Sequence, residues 1–196
     1  ETYLPESAQA FRRADQKSCA DMVRVYLDDW IREINYEVWH KGQTEIQYRE
    51  MGTTLVMLYA LPNLALVAHI GDSRVYHLHG EEMNQVTNDH SLVNSQVESG
   101  MLTREEAQTS MQKNIITRAI GTGKVVKPEF SLVHTLPGDK LLLCSDGLTD
   151  MVSEQNIKHI LLSGKPPQRI LQDLIETANE NGGRDNITAI LVEYDD

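Results

Sequence analysis

A chain of 196 residues can bury one sizeable core without needing a second domain, and 40% apolar with 24% charged residues is the balance of an ordinary globular protein. No run of about 18 apolar residues is present, which argues against a helical membrane span. Eighteen basic against 29 acidic residues leave a formal charge of −11, which disfavours nucleic acid and anionic membrane as partners and tolerates divalent cations. Cys19 and Cys144 match no metal or redox spacing, so a reducing, cytoplasmic compartment is expected. The chain opens Glu1-Thr2-Tyr3, without an initiator methionine or a signal-peptide pattern, and reads as a processed protein or an excerpt of a longer one.

From Ser18 to Lys41 the positions Met22, Val23, Tyr26, Leu27, Trp30, Ile31, Ile34 and Val38 form one stripe on a 3.6-residue period, predicting a long amphipathic helix. Ser18 with Asp21 suits a capping box, Glu37 and Lys41 suit an i,i+4 pair, and Gly42 suits the left-handed position after the last turn. Trp30 and Trp39 read as a core and a helix-edge aromatic. The β-rich runs "TTLVMLYA", "LALVAHI" and "RVYHLH" then predict consecutive antiparallel strands, separated by Leu61-Pro62-Asn63 and Gly71-Asp72-Ser73. Both parities of Leu64 to Ile70 are apolar apart from His69, so that strand should be covered on both faces.

Residues 89–123 are polar and irregular and read as a flap, with a short helix opened by Thr103 and Glu106 in capping-box spacing. "FSLVHTL" and "KLLLCS" predict a hairpin through Pro137-Gly138-Asp139. Helices are expected at 154–162 and 166–179, the second with a stripe at Ile170, Leu171, Leu174, Ile175 and Ala178, and a final strand at "NITAILVEY".

Three aspartates share one context. Asp72, Asp146 and Asp185 each stand at the end or start of an expected core strand beside glycine, where rigid elements hold side chains and the backbone can approach a ligand. Two such carboxylates about 4 Å apart repel by roughly 4 kcal/mol at an effective dielectric of 20, a cost that a divalent cation reverses. All-oxygen donors select Mg²⁺ or Mn²⁺ rather than zinc. Taken singly, each aspartate is as simply a turn residue bonding its own backbone. His69, His77 and His79 are not read as a zinc set, because His77 and His79 share a strand face without a third ligand at suitable spacing. Cys144 reads as a small buried apolar residue.

"EMGTT" at 50–54, "AHIGDSRVY" at 68–76, "ITRAIG" at 116–121, "LPGDKLLLCSDGLTD" at 136–150 and "GGRDNIT" at 182–188, in this order, resemble the metal-dependent protein phosphatases, the type 2C serine/threonine phosphatases, in their bacterial branch. The resemblance runs from about residue 18 onward. It implies an α+β fold, a four-layer α-β-β-α sandwich of two antiparallel sheets, as a single domain over 1–196 with the flap at about 89–123. It also implies two Mg²⁺ or Mn²⁺ ions, with a third held more weakly. Asp146 and Asp185 match aspartates of the binuclear centre, and Asp72 and Asp150 match residues holding the third ion. Hydrolysis of phosphoserine or phosphothreonine by a metal-activated water follows, with phosphoproteins as substrates and a serine/threonine kinase as a cognate partner.

Two family motifs do not occur in the 196 residues: an Arg with an Asn-Glu-Asp type triplet, and an Asp-Gly-x-Gly-Gly turn whose aspartate bridges the metals. Asp146-Gly147 is the only Asp-Gly pair. The first expectation is therefore a portion of a phosphatase whose N-terminal strands lie upstream of Glu1. The alternative is a pseudophosphatase serving as a binding or regulatory module, and a third reading is a metallohydrolase of another phosphoester.

Overall fold

The computed structural model describes residues 15–195. Helix α1 (Gln16–Thr44) is capped by Asp15, whose carboxylate accepts the Ser18 N–H at 2.9 Å and the Ser18 hydroxyl at 3.0 Å. The expected Ser18–Asp21 box therefore gives way to a cap three residues earlier. Gly42 is also not the stop. It lies inside the helix, where a Cβ would stand 3.1 Å from the Tyr48 carbonyl oxygen, so its bareness admits the 3₁₀ turn Ile46–Tyr48. Lys41 lies over the Tyr48 ring, 4.5 Å from its centroid.

Among the described residues, seven strands make two sheets. One has the order β1-β2-β5, from β1 (Leu55–Leu61), β2 (Leu64–Ile70) and β5 (Glu129–His134). The other has the order β4-β3-β6-β7, from β3 (Arg74–His79), β4 (Glu82–Gln85), β6 (Lys140–Cys144) and β7 (Ala189–Glu193). All pairings are antiparallel. Every residue of β2 is buried, as its two-sided apolar pattern requires.

The period-2 alternation sorts this core into three seams. Leu66, Ala68 and Ile70 of β2 meet Val23, Leu27 and Ile31 of α1. Ala65 and Val67 point the other way, against Val75, Leu141 and Leu143 of the second sheet. Leu142 and Cys144 of β6, with Tyr76 and Leu78 of β3, then meet α5 (Glu154–Leu161) and α6 (Pro167–Glu180) through Ile157, Leu161, Ile170, Leu174 and Ala178. The result is the four-layer α-β-β-α sandwich.

Two expected connections differ. β2 and β3 do not pair, nor do β5 and β6: each turn hands the chain from one sheet to the other. Both strands at each junction are apolar on the seam between the sheets, so they pack face to face rather than edge to edge. Trp30 is half exposed, as are Tyr26 and Ile34, because the buried stripe of α1 is narrower than its apolar stripe and follows Val23, Leu27, Ile31 and Asn35. Fully buried Asn35 ties the helix to residues 121–124: its Nδ2 donates to the carbonyls of Gly123 (3.0 Å) and Lys124 (3.3 Å), and its Oδ1 accepts the Gly121 N–H at 2.9 Å. Within residues 89–123 lie α2 (Leu92–Glu98) and α3 (Arg104–Thr109), the latter with the expected Thr103/Glu106 box. Among the described residues no helix is long and apolar enough to cross a membrane.

Candidate metal centre

Antiparallel pairing decides where the acids go. β6 is flanked by β3 and β7, with Cys144 opposite both Arg74 and Ala189. Asp72 precedes β3, Asp146 follows β6 and Asp185 precedes β7, so all three loops emerge at the same edge of this sheet.

Each loop is built to bring its carboxylate close. Gly71 has φ +103°, and a Cβ there would fall 2.4 Å from Cγ2 of Thr54. Thr54 and Ser73 exchange a hydroxyl hydrogen bond of 3.0 Å, so the "EMGTT" segment supports the Asp72 turn. Gly147 lets two loops touch, since a Cβ would lie 2.4 Å from the carbonyl oxygen of Asn186. Ser145 fastens them: its hydroxyl donates to the Asn186 carbonyl at 3.0 Å and accepts the Thr188 N–H at 3.1 Å. Asp146 opens the one-turn helix α4 (Asp146–Thr149), and the Asp150 N–H donates to the Asp146 carbonyl at 2.8 Å, placing the two acids one turn apart.

The electrostatics match this crowding. Burial and then the Asp146 charge push the Asp72 carboxyl up to about 6. Burial, then Asp185 and Asp150, raise Asp146. Like charges held together out of water are the donor chemistry that hard divalent cations take. Cys144, 2% exposed, has its thiol pushed up to about 12 by burial and stays protonated, as its reading as a small apolar residue requires. No three of the four aspartates bring ligand atoms within 4.8 Å of one another; among the described residues only His69, His90 and Glu129 do.

That last cluster was not legible from the sequence. Sheet register sets His69 against Glu129, and His90 closes over them from the start of the flap. It already holds a cation: the Arg118 guanidinium lies 2.8 Å from Glu129 Oε1 and 2.8 Å from His90 Nε2. His77 and His79 also gain the shared partner that their spacing hid, since buried Asp139 meets His77 Nε2 at 2.8 Å and His79 Nδ1 at 2.7 Å. Arg74, beside Asp72, is committed to Asp89 through contacts of 2.6 to 3.1 Å and so braces the flap's first residue. Lys113 reaches from the flap to Asp150 at 2.9 Å.

Residues 4–192 match the family model described as protein phosphatase 2C. Protein phosphatase PhpP of Streptococcus pneumoniae serotype 2 is 45% identical over 174 residues, covering 89% of this chain and 70% of that protein. The serine/threonine phosphatase stp of Listeria innocua is 37% identical over 186 residues, covering 95% and 74%. Among solved structures, serine/threonine phosphatase Stp1 from Staphylococcus aureus superposes with a TM-score of 0.88 at 36% identity, over 93% of this chain and 70% of that one. The catalytic domain of PstP, solved in complex with two manganese ions, gives 0.77 at 35% identity, over 87% and 70%. With a matching family model across nearly its whole length and the sandwich those relatives share, the chain belongs to the protein phosphatase 2C family, in its bacterial serine/threonine branch.

Proposed function

We propose that this chain is the greater part of a metal-dependent protein serine/threonine phosphatase, a single phosphatase-like domain in which residues 89–123 form the flap. The observation that carries the reading is the convergence of the Asp72, Asp146 and Asp185 loops at one sheet edge, with the Asp72 and Asp146 carboxyls raised by burial and by neighbouring acids. Mg²⁺ or Mn²⁺, two ions with a third held more weakly, would supply a water of lowered pKa and neutralise the phosphoryl oxygens. Asp146 and Asp185 are the ligands of the main pair, presented from loops that Ser145 clamps together. Asp72 and Asp150 serve the weaker ion, with Lys113 tethering the flap across Asp150. Substrates are phosphoproteins, a cognate serine/threonine kinase supplies them, and the compartment is cytoplasmic.

The test is Mn²⁺-dependent hydrolysis of phosphoserine and phosphothreonine peptides. The reading expects activity that Asp146→Asn lowers by about 10²–10³-fold, the scale of removing one preorganised charge-stabilising group. Activity indifferent to Asp146→Asn sinks it. A second reading, a pseudophosphatase acting as a binding module, is favoured by the absence of an Asp-Gly-x-Gly-Gly turn within the 196 residues and by the fact that no three of the four aspartates bring ligand atoms within 4.8 Å of one another. It expects weak or no Mn²⁺ binding in calorimetry, and tight binding of two ions counts against it.

A further inference from the structure

Asp72 is only as well placed as the glycine before it. Gly71 sits at φ +103°, where its own torsional preferences are broad, so the direction in which Asp72 leaves β2 must be set from outside. One residue supplies both constraints. The His90 backbone N–H donates to the Gly71 carbonyl at 3.0 Å, and the Gly71 N–H donates to His90 Nδ1 at 3.0 Å. The peptide units on either side of Gly71 are thus both gripped by His90, which is 6% exposed.

The ring is itself fixed. Because Nδ1 accepts, the neutral imidazole carries its proton on Nε2 and donates it to Glu129 Oε1 at 3.1 Å; Arg118 Nη1, itself only a donor, stands 2.8 Å from that nitrogen and directs its proton to the shared Glu129 oxygen rather than to the ring. Glu129 is held in turn by Arg118. The His69 ring stacks on it, with centroids 4.7 Å apart, and anchors itself by donating from Nε2 to the Asn88 carbonyl at 2.9 Å. The Thr117 N–H holds the His90 carbonyl at 2.7 Å, so the ring is set on a backbone tied to the far end of the flap. The same features argue against a second metal site here: Arg118 fills the space between the donors, and a metal on Nε2 would require a proton on Nδ1, which already accepts one from Gly71.

We propose that His90 is a positioning residue for cation binding: its Nδ1 is the fixed acceptor that orients the Gly71 turn and so aims the Asp72 carboxylate. The proposal rests on the reading of Asp72 as a ligand of the weaker ion. It is separable from bulk stability by the chemistry of one atom. In His90→Asn the amide oxygen stands near the former Nδ1 and can still accept from Gly71, whereas in His90→Gln the amide lies near the former Nε2 and cannot. Both variants lose the ring and keep the backbone bond to Gly71.

Mn²⁺ binding to the purified chain is measured by calorimetry, beside melting temperatures. His90→Gln is expected to weaken the weaker Mn²⁺ site by about 10-fold or more, the scale seen when a group orienting a metal ligand is lost, while His90→Asn stays within about threefold of the unmodified chain. Equal losses in both variants, or none, overturn the proposal. Asp72→Asn separates the two failures. If it leaves Mn²⁺ binding unchanged, the reading of Asp72 fails and the role of His90 with it; if it weakens binding while His90→Gln does not, only the role of His90 fails. Should both His90 variants fail to fold, ¹⁵N NMR of the unmodified chain decides. A neutral ring protonated on Nε2, with Nδ1 as acceptor, is expected, and protonation on Nδ1 overturns the proposal.

Discussion

A covered carboxylate stands near each end of strand β3, Asp72 before its start and Asp139 against its last histidines, and the two are perturbed in opposite directions. At its start, Asp72 is 9% exposed and pushed up to about 6 by burial and the Asp146 charge. At its other end, Asp139 is 2% exposed, and burial pushes it up too, yet the Leu136 N–H and the imidazoles of His79 and His77 outweigh that and hold it below the usual carboxylate range. Burial alone therefore does not decide the charge of an acid in this sheet; the partners do. Asp139 has been given two imidazoles and a backbone donor, and it closes the turn between the two sheets. Asp72 and Asp146 have been given each other, an arrangement that costs stability and makes sense for a site that draws in a cation.

Exchanging each acid for its amide should separate the two ends. Asp146→Asn is expected to cut phosphopeptide hydrolysis by about 10²–10³-fold while leaving the melting temperature unchanged or raised, because it removes a repelled charge. Asp139→Asn should do the reverse. Loss of the charge that two histidines and the Leu136 N–H address is expected to cost about 2–3 kcal/mol, a fall in melting temperature of roughly 5–10 °C, with kcat within twofold. A stable, inactive Asp139→Asn would break the contrast.

Much of this was legible in the sequence, and the exceptions share a cause. The period of α1, the two-sided burial of β2 and the aspartates at strand ends are local patterns, and they survive folding. Which sheet a strand joins is not local. The turns at Gly71-Asp72-Ser73 and Pro137-Gly138-Asp139 look like hairpin turns, but they connect layers, because the apolar seam between the sheets competes with edge pairing. β4 reads Glu-Met-Asn-Gln and has no apolar alternation to announce it. The partners of histidines were hidden by chain separation: His77 and Asp139 stand 62 positions apart, and only the sheet reveals the register between His69 and Glu129. Ser145, which clamps two acid loops, is one more serine in the sequence, and its role appears only once Asn186 and Thr188 lie beside it.

Acidification should also tell the two ends apart. For Asp72 the folded pKa lies above the unfolded value of 3.8, so between about pH 4 and 6 the folded protein holds a proton that the unfolded chain has released. Its contribution is a destabilisation that is full above pH 6 and is relieved as the pH falls toward 4. For Asp139 the folded pKa is lowered, so its stabilisation is full above about pH 4 and is lost below it. With a chelator present, melting temperature against pH should therefore rise on going from pH 7 toward 4 and then fall. Asp72→Asn should flatten the first limb by about 1–2 kcal/mol, allowing for solvent at the rim of the site, or roughly 3–6 °C. A first limb unchanged in Asp72→Asn assigns the rise to other groups.

The smallest expected effect lies where the flap meets the acidic edge. Lys113 and Asp150 form an ion pair at 2.9 Å with side chains 39% and 31% exposed, so the pair contributes only about 0.2–1 kcal/mol to folding. Its position gives it a different use. Asp150 lies one helical turn from Asp146 and contributes to raising it, so the ammonium ties residue 113 to the acidic edge and offsets part of its negative charge; under the proposed function, that is charge an incoming phosphoryl group would meet. Lys113→Ala should leave the melting temperature within about 2 °C and kcat within twofold, while raising KM for a phosphopeptide about two- to fivefold at low salt. At about 0.5 M salt, screening should shrink the difference between variant and parent, because both partners are reached by solvent. A KM that is unchanged at low salt would reduce the contact to a surface pair, and one that stays raised at high salt would mean that Lys113 contacts the substrate directly.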